Sequence, residues 1–238
     1  MVESRRLARW HSARQSSGVH VFCGRLPGQS VWQKVTVPES NESIRITGVC
    51  GSLSADGVTK KALTIALQGA AEYGADTSLL ELHDFNLVFA GSVPQDEYPP
   101  DVLRLRQAIR ESRGIILATP EYHGSLTGAL KNMLDLMSIE DFETKIVGLV
   151  GIAGGHVGAI NSLNTMKTIC RNLHCWVLPQ EVSIANSGNA FDENGAMKDP
   201  ALEERLLNLG RQLVKFASMQ QKVQQSEFAQ LWKSLPTW

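Results

Sequence analysis

The sequence predicts one α/β domain over residues 44–219, a doubly wound, five-stranded parallel sheet of strand order 2-1-3-4-5 in a three-layer sandwich. Three observations carry that expectation. Apolar, β-branched runs alternate with segments of helical apolar spacing five times over, and each such repeat joins parallel strands by a right-handed crossover. The runs are apolar almost throughout, so both faces of the sheet must be covered. The first run closes in GSLSADG, which is turn material leading straight into a helical pattern.

The elements follow in order. IRITGVC, from Ile44, is a short β-branched strand. VTKKALTIALQGAAEYG repeats apolar residues at helical spacing and stops at Gly74. TSLLEL is the second strand, and HDFNLVFAGSVPQDEYPP a long irregular loop ending in a Pro pair. DVLRLRQAIRESRG is a helix with an acid at its start and arginines near its end, as the helix dipole favours. IILATP is the third strand, SLTGALKNMLDLM a helix, and KIVGLVGIA the fourth strand. AINSLNTMKTICRNL is a helix, and CWVL begins a fifth strand that continues through EVSI. A polar loop with Asn186, Gly188, Asn189 and Asn194 leads to the closing helix, which has Pro200 near its first turn.

Outside this domain lie a leader, residues 1–43, and a tail, residues 220–238. In residues 1–37 six cations (Arg5, Arg6, Arg9, Arg14, Arg25, Lys34) face Glu3 alone, a net of +5; the whole chain carries −1, which leaves −6 for the remainder. A basic, serine-rich, acid-poor leader is expected to be a disordered extension, with an organelle transit peptide as the alternative. The corresponding expectation for location is cytoplasmic, or a plastid or mitochondrion if the leader is a transit peptide. The tail spaces Phe228, Trp232 and Trp238 along a helix expected to pack on its own domain. No apolar run approaches the roughly 20 residues that span a bilayer. A near-neutral net charge gives no global field for nucleic acid. Cys23, Cys50, Cys170 and Cys175 show no CxxC and no zinc-ligand spacing, so no metal site is expected and the thiols are expected to be reduced.

In a doubly wound sheet, ligands bind at the carboxyl ends of the strands beside the topological switch point. Three loops there stand out. Gly51–Thr59 offers the hydroxyls of Ser52, Ser54 and Thr59 together with the free amides of a helix start, which is a nest for an anion. It has neither the GxxxxGK[ST] nor the GxGxxG spacing, and Lys60 and Lys61 follow it. The stretch Pro120, Glu121, Tyr122, His123, Gly124 sits between a buried strand and a helix. It provides flat surfaces with polar tips and, at Gly124, close backbone approach. The third loop, GIAGGHVGA, exposes amides at Ala153, Gly154 and Gly155. With the expected strand order, these loops border one crevice. A ligand with a phosphate tail and a flat polar ring, such as FMN, fits it.

GSLS, TPEYHGSLTGALKN and AGG at these positions resemble the NADPH-dependent FMN reductase family, of flavodoxin-like fold, over about residues 44–219. The resemblance implies that Ser52, Leu53, Ser54 and Thr59 hold the FMN phosphate. It implies that Pro120, Glu121, Tyr122, His123 and Gly124 line the isoalloxazine ring, with Ala153, Gly154 and Gly155 facing its polar edge. Many relatives carry a basic residue in place of Ser54, serine for Gly57, and asparagine for Thr59 and for His123. Hydride would pass from NADPH or NADH through FMN to a quinone, free flavin, azo compound or metal oxyanion, with no obligatory acid or base in the protein. Tyr122 or His123 would contact the acceptor or nicotinamide. A homodimer or homotetramer is implied by the resemblance alone. Two other readings stand beside this one: a flavodoxin-like electron carrier that does not oxidise NADPH, and a scaffold that has lost FMN.

Overall fold

The structure, a computed structural model, describes residues 19–21, 33–35 and 43–224. The chain divides into two compact units, one of residues Asn41–Gln220 and one of Met1–Ser40 with Gln221–Trp238. In the smaller unit, β1 (Val19–Val21) and β2 (Gln33–Val35) pair antiparallel, with Val19 opposite Val35. The rest of the leader and the tail beyond Gln224, with the expectations for both, lie outside the described residues.

The larger unit is the doubly wound sandwich that the alternating pattern predicts. Strands β3 (Arg45–Cys50), β4 (Asp76–Glu81), β5 (Gly114–Tyr122) and β7 (Ile146–Ile152) run parallel in the order β4-β3-β5-β7. The switch point falls between β3 and β5. The place of the fifth strand is shared by β8 (Trp176–Val177) and β9 (Val182–Ile184), both parallel to β7. Pro179 stands between them and has no N–H for the ladder, which is why one expected strand becomes two. With the two-residue β6 (Ser125–Leu126), the sheet counts seven strands rather than five.

Alternation along each strand builds two cores. Ile116 and Ala118 face one side with Ile146, Val150 and Ile152, under α1 (Val58–Glu72) and α6 (Pro200–Gln224). Ile115, Leu117, Val147 and Leu149 face the other, under α2 (Pro100–Glu111), α3 (Gly128–Asp135) and α5 (Ile160–Asn172). On the first side α1 and α6 meet backbone to backbone. A Cβ on Gly69 would run into the main chain of Leu207, and one on Gly210 into that of Ala66.

Local boundaries differ from the sequence reading in three places. β5 continues two residues past Pro120. Its pairing with β3 has ended by Ala118, so the strand has an open side there, and a residue without an N–H is tolerated. The helix expected from Ser125 starts only at Gly128, because Ser125 and Leu126 turn back as β6. Beyond it lies a short helix, α4 (Ile139–Phe142), which the continuous apolar pattern conceals. Asp141 in α4 is fully buried and accepts from Arg106 Nε at 2.8 Å, from Arg110, and from the Ser138 N–H at 2.8 Å, tying α4 to α2. The long loop after β4 contains two single 3₁₀ turns, Leu82–Asp84 and Gln95–Glu97.

Candidate functional site

The three singled-out loops share the carboxyl edge of the sheet, following β3, β5 and β7, which are adjacent strands. The first one turns on Ser52. Its buried hydroxyl oxygen accepts the Ser54 N–H at 3.2 Å and so curls the loop over the start of α1. Gly57 occupies the N-cap and has no side chain to cap with, and no acid stands in the first turn of α1. The positive end of this helix therefore has no carboxylate of its own helix against it. Thr59, the second residue of α1, is buried, and Leu53 points outward with 62% of its surface exposed.

Both lysines after this loop are engaged away from it. Lys60 Nζ pairs with Glu81 Oε1 at 2.9 Å, and Lys61 Nζ lies 5.6 Å from the centre of the Phe191 ring. The second oxygen of Glu81 is buried and has no hydrogen-bond partner. The polar groups left on this loop are its amides and hydroxyls.

The second loop is a hairpin rather than a strand-to-helix turn. Glu121 pairs with Leu126 and Tyr122 with Ser125, so His123 and Gly124 are the two loop residues. Both have positive φ, 52° and 78°, as a type I′ turn demands. Glycine enters this region freely. Asparagine is among the few other residues that do so, which accounts physically for its use by relatives in place of His123. Tyr122 stands 61% exposed.

The side chain of Glu121 is engaged on a neighbouring element. Its carboxylate reaches the start of α5, accepting the Ser162 N–H at 2.9 Å and facing Asn161 Nδ2 at 3.4 Å. It caps a helix that its own residue, Ala159, leaves uncapped. In the third loop, Ala153 is held by its N–H to Ile184 O at 2.8 Å. A Cβ on Gly154 or Gly155 would meet nothing within 4 Å, so this loop presents bare backbone to open space.

One residue that sequence reasoning passed over joins two of the loops. Thr127 Oγ1 donates to Gly51 O at 2.7 Å and accepts the Leu130 N–H at 3.1 Å, while its own N–H donates to Thr119 Oγ1 at 3.1 Å. It is the N-cap of α3 and at the same time the latch between the ends of β3 and β5. A threonine just before a helical run is a standard N-cap signal and could have been read. The capping of α5 by Glu121 has no such local signal, because the two are 41 residues apart.

An uncapped helix start, hydroxyls at Ser52, Ser54 and Thr59, outward Leu53 and Tyr122, and a bare-backbone loop on one edge fit an anionic ligand with a flat ring. Among the described residues no group of three or more His, Cys, Asp or Glu could hold a metal ion, and no helix is long and apolar enough to cross a membrane.

A flavodoxin-like α/β sandwich with an uncapped helix start at its switch point defines the class. The sequence narrows it further. The family model described as NADPH-dependent FMN reductase matches residues 44–189, and the chain belongs to that family. The family uses FMN with NAD(P)H as electron donor, and its members are oxidoreductases. The chain is similar to an NAD(P)H-dependent FAD/FMN reductase of Geobacillus thermodenitrificans, 29% identical over 139 residues, 58% of this chain and 74% of that one. It is similar also to an FMN-dependent NADPH-azoreductase of Staphylococcus aureus, 33% identical over 135 residues, 56% and 71% of the two chains. Among solved structures, FerB, a flavoenzyme NAD(P)H:(acceptor) oxidoreductase from Paracoccus denitrificans, shares the fold with a TM-score of 0.57 at 22% identity, over 74% of this chain and 98% of that one.

Proposed function

We propose that this chain holds FMN across the carboxyl edge of its sheet and carries reducing equivalents from NADPH or NADH to a small acceptor of the quinone, free flavin, azo or metal-oxyanion kind. The observation that carries this reading is the uncapped start of α1 beneath Ser52, Ser54 and Thr59, on the same sheet edge as the Gly154–Gly155 loop, whose backbone faces open space. When bound, FMN supplies the chemistry, accepting a hydride and releasing it to the acceptor.

The protein's own residues bind and orient. Ser52, Leu53, Ser54 and Thr59 hold the phosphate through amides and hydroxyls, while Lys60 stays with Glu81. Pro120, Tyr122, His123 and Gly124 form the wall beside the ring, and Gly154 and Gly155 offer it backbone amides, with Ala153, whose own N–H is held by Ile184 O, facing its polar edge beside them. Glu121 acts one step back, holding the start of α5 against the hairpin. Leu53, Tyr122 and Val157, exposed on these loops, support the further reading that copies of the chain assemble as a homodimer or homotetramer over this edge.

Replacing Ser52 and Thr59 by alanine together tests the reading. Losing hydrogen bonds to a charged phosphate costs roughly 1.5–3 kcal/mol, so FMN affinity should fall at least about tenfold. Unchanged affinity in a fluorescence titration overturns the phosphate assignment. An acceptor panel at fixed NADPH and NADH then identifies the acceptor. A flavin-loaded protein that oxidises neither nucleotide would instead be an electron carrier.

A further inference from the structure

We propose that Cys170 and Cys175 form a dithiol that a hydroperoxide converts into an intrachain disulfide, a modification site at the amino edge of the sheet, away from the loops described above. Cys175 immediately precedes β8, whose Trp176 lies opposite Ile146, the first residue of β7.

The end of α5 brings the two sulfurs together. His174 adopts a left-handed conformation with φ 57°. Its N–H donates to Arg171 O at 3.1 Å, and the Cys175 N–H donates to Cys170 O at 2.9 Å. This is a Schellman closure, in which the first and last residues of the ring turn their side chains toward each other. Here those residues are the two cysteines, and the Cys170 thiol is a near neighbour of the Cys175 thiol. A disulfide asks for Cα atoms about 4.4–6.8 Å apart. The N–H···O bond between the same two residues leaves too little covalent reach to exceed that span. The Cys175 thiol is further oriented toward Phe142 O at 3.6 Å and Leu173 O at 3.8 Å.

Exposure assigns the order of events. Cys170 is fully buried, whereas Cys175 is only partly so. The Cys175 thiolate attacks one peroxide oxygen, the O–O bond breaks, and a sulfenic acid and an alcohol or water result. The Cys170 sulfur then displaces the hydroxyl, the S–S bond forms, and water leaves. In sum, two thiols and one hydroperoxide give one disulfide, one alcohol and one water. The groups facing Cys175 set the pace. The neighbouring Cys170 thiol and burial push the Cys175 thiol up, and the Lys145 ammonium, just before β7, opposes them. Closure is therefore slow at neutral pH and faster in mild alkali.

The test uses the full reduced chain with hydrogen peroxide at mildly alkaline pH. Intact mass should fall by two hydrogens and recover with dithiothreitol. Trypsin cuts after Lys167, Arg171 and Lys198, so the bridge should appear as peptide 168–171 joined to peptide 172–198. Cys175→Ser and Cys170→Ser, each checked for wild-type urea unfolding, should both lack the joined peptide. Should one variant not fold, the linkage map of the wild-type chain decides alone. Accumulation of Cys175 sulfinic acid without a bridge, a bridge through Cys23 or Cys50, or both thiols still open to iodoacetamide after oxidation would each overturn the proposal.

Discussion

The carboxylate of Glu121, at the end of β5, accepts the backbone N–H of Ser162 in the first turn of α5 at 2.9 Å. A side chain from the carboxyl end of one strand thus caps the helix that follows the neighbouring strand. The relative placement of the Tyr122–Gly124 hairpin and the Ala153–Gly155 backbone depends on it. Glu121→Ala should cost about 1–2 kcal/mol of unfolding free energy, the usual worth of a cap. Glu121→Gln, which keeps an acceptor oxygen, should cost less than half of that. Urea unfolding of the two variants checks this, and equal stability for Glu121→Ala and wild type would remove the capping role.

The hairpin loop is set by backbone conformation at two positions. His123 and Gly124 both lie at positive φ. Only Asn161 Nδ2, at 3.8 Å, approaches the place a Cβ on Gly124 would take. Gly124→Val is therefore strained by dihedral preference rather than by crowding within the protein, at about 1–3 kcal/mol. His123→Asn should be neutral or slightly stabilising. FMN bound per chain, read by absorbance, should drop in Gly124→Val and stay near normal in Tyr122→Phe. Full flavin content in Gly124→Val would take this turn out of the flavin site.

Thr127 bonds both to the end of β3 and to the start of α3. Thr127→Val keeps the shape and loses the hydroxyl, and should destabilise by about 2 kcal/mol. Thr127→Ser should restore most of it. Thermal melts of the pair distinguish a lost hydrogen bond, which serine rescues, from a lost methyl contact, which valine retains.

Asp141 gives a pH signature. Burial alone would raise its carboxyl, but the Ser138 N–H and the guanidinium groups of Arg110 and Arg106 hold it below the ordinary aspartate value. A carboxyl lowered by folding adds stability above its unfolded pKa of about 3.9 and loses it as pH falls through the folded value. Asp141→Asn should thus be less stable than wild type by about 3 kcal/mol near neutrality. The gap should shrink once pH drops below the ordinary aspartate range. Denaturant melts from neutral to acid pH measure it, and a gap independent of pH would count against the ionic tie between α4 and α2.

Much of this was legible before any coordinates. The apolar run through Ile115, Ile116, Leu117 and Ala118 already implies a sheet covered on both faces. Loops bearing Ser52, Tyr122 and Gly154 could be read as site loops because strand ends are where such folds bind. What could not be read depends on partners distant in sequence. That Lys60, next to the first loop, is paired with Glu81 could not be read, because Glu81 lies 21 residues on. The partner of the Glu121 carboxylate, the start of α5, lies 41 residues away. Pro179, by contrast, was visible, and its missing N–H was enough to foresee the break between β8 and β9.

The backbone approach of α1 and α6 at Gly69 and Gly210 has a mechanical meaning for the site. Most helix pairs mesh through side-chain ridges and can slip by one notch to a neighbouring fit at modest cost. Where two backbones touch, there are no teeth to skip: any slide brings a side chain against a peptide group. α1 and α6 therefore have a single seat rather than a row of near-equal ones, and α1 cannot creep along its axis. The amides at its far end, under Ser52, are held at one depth, like a gauge block clamped from behind.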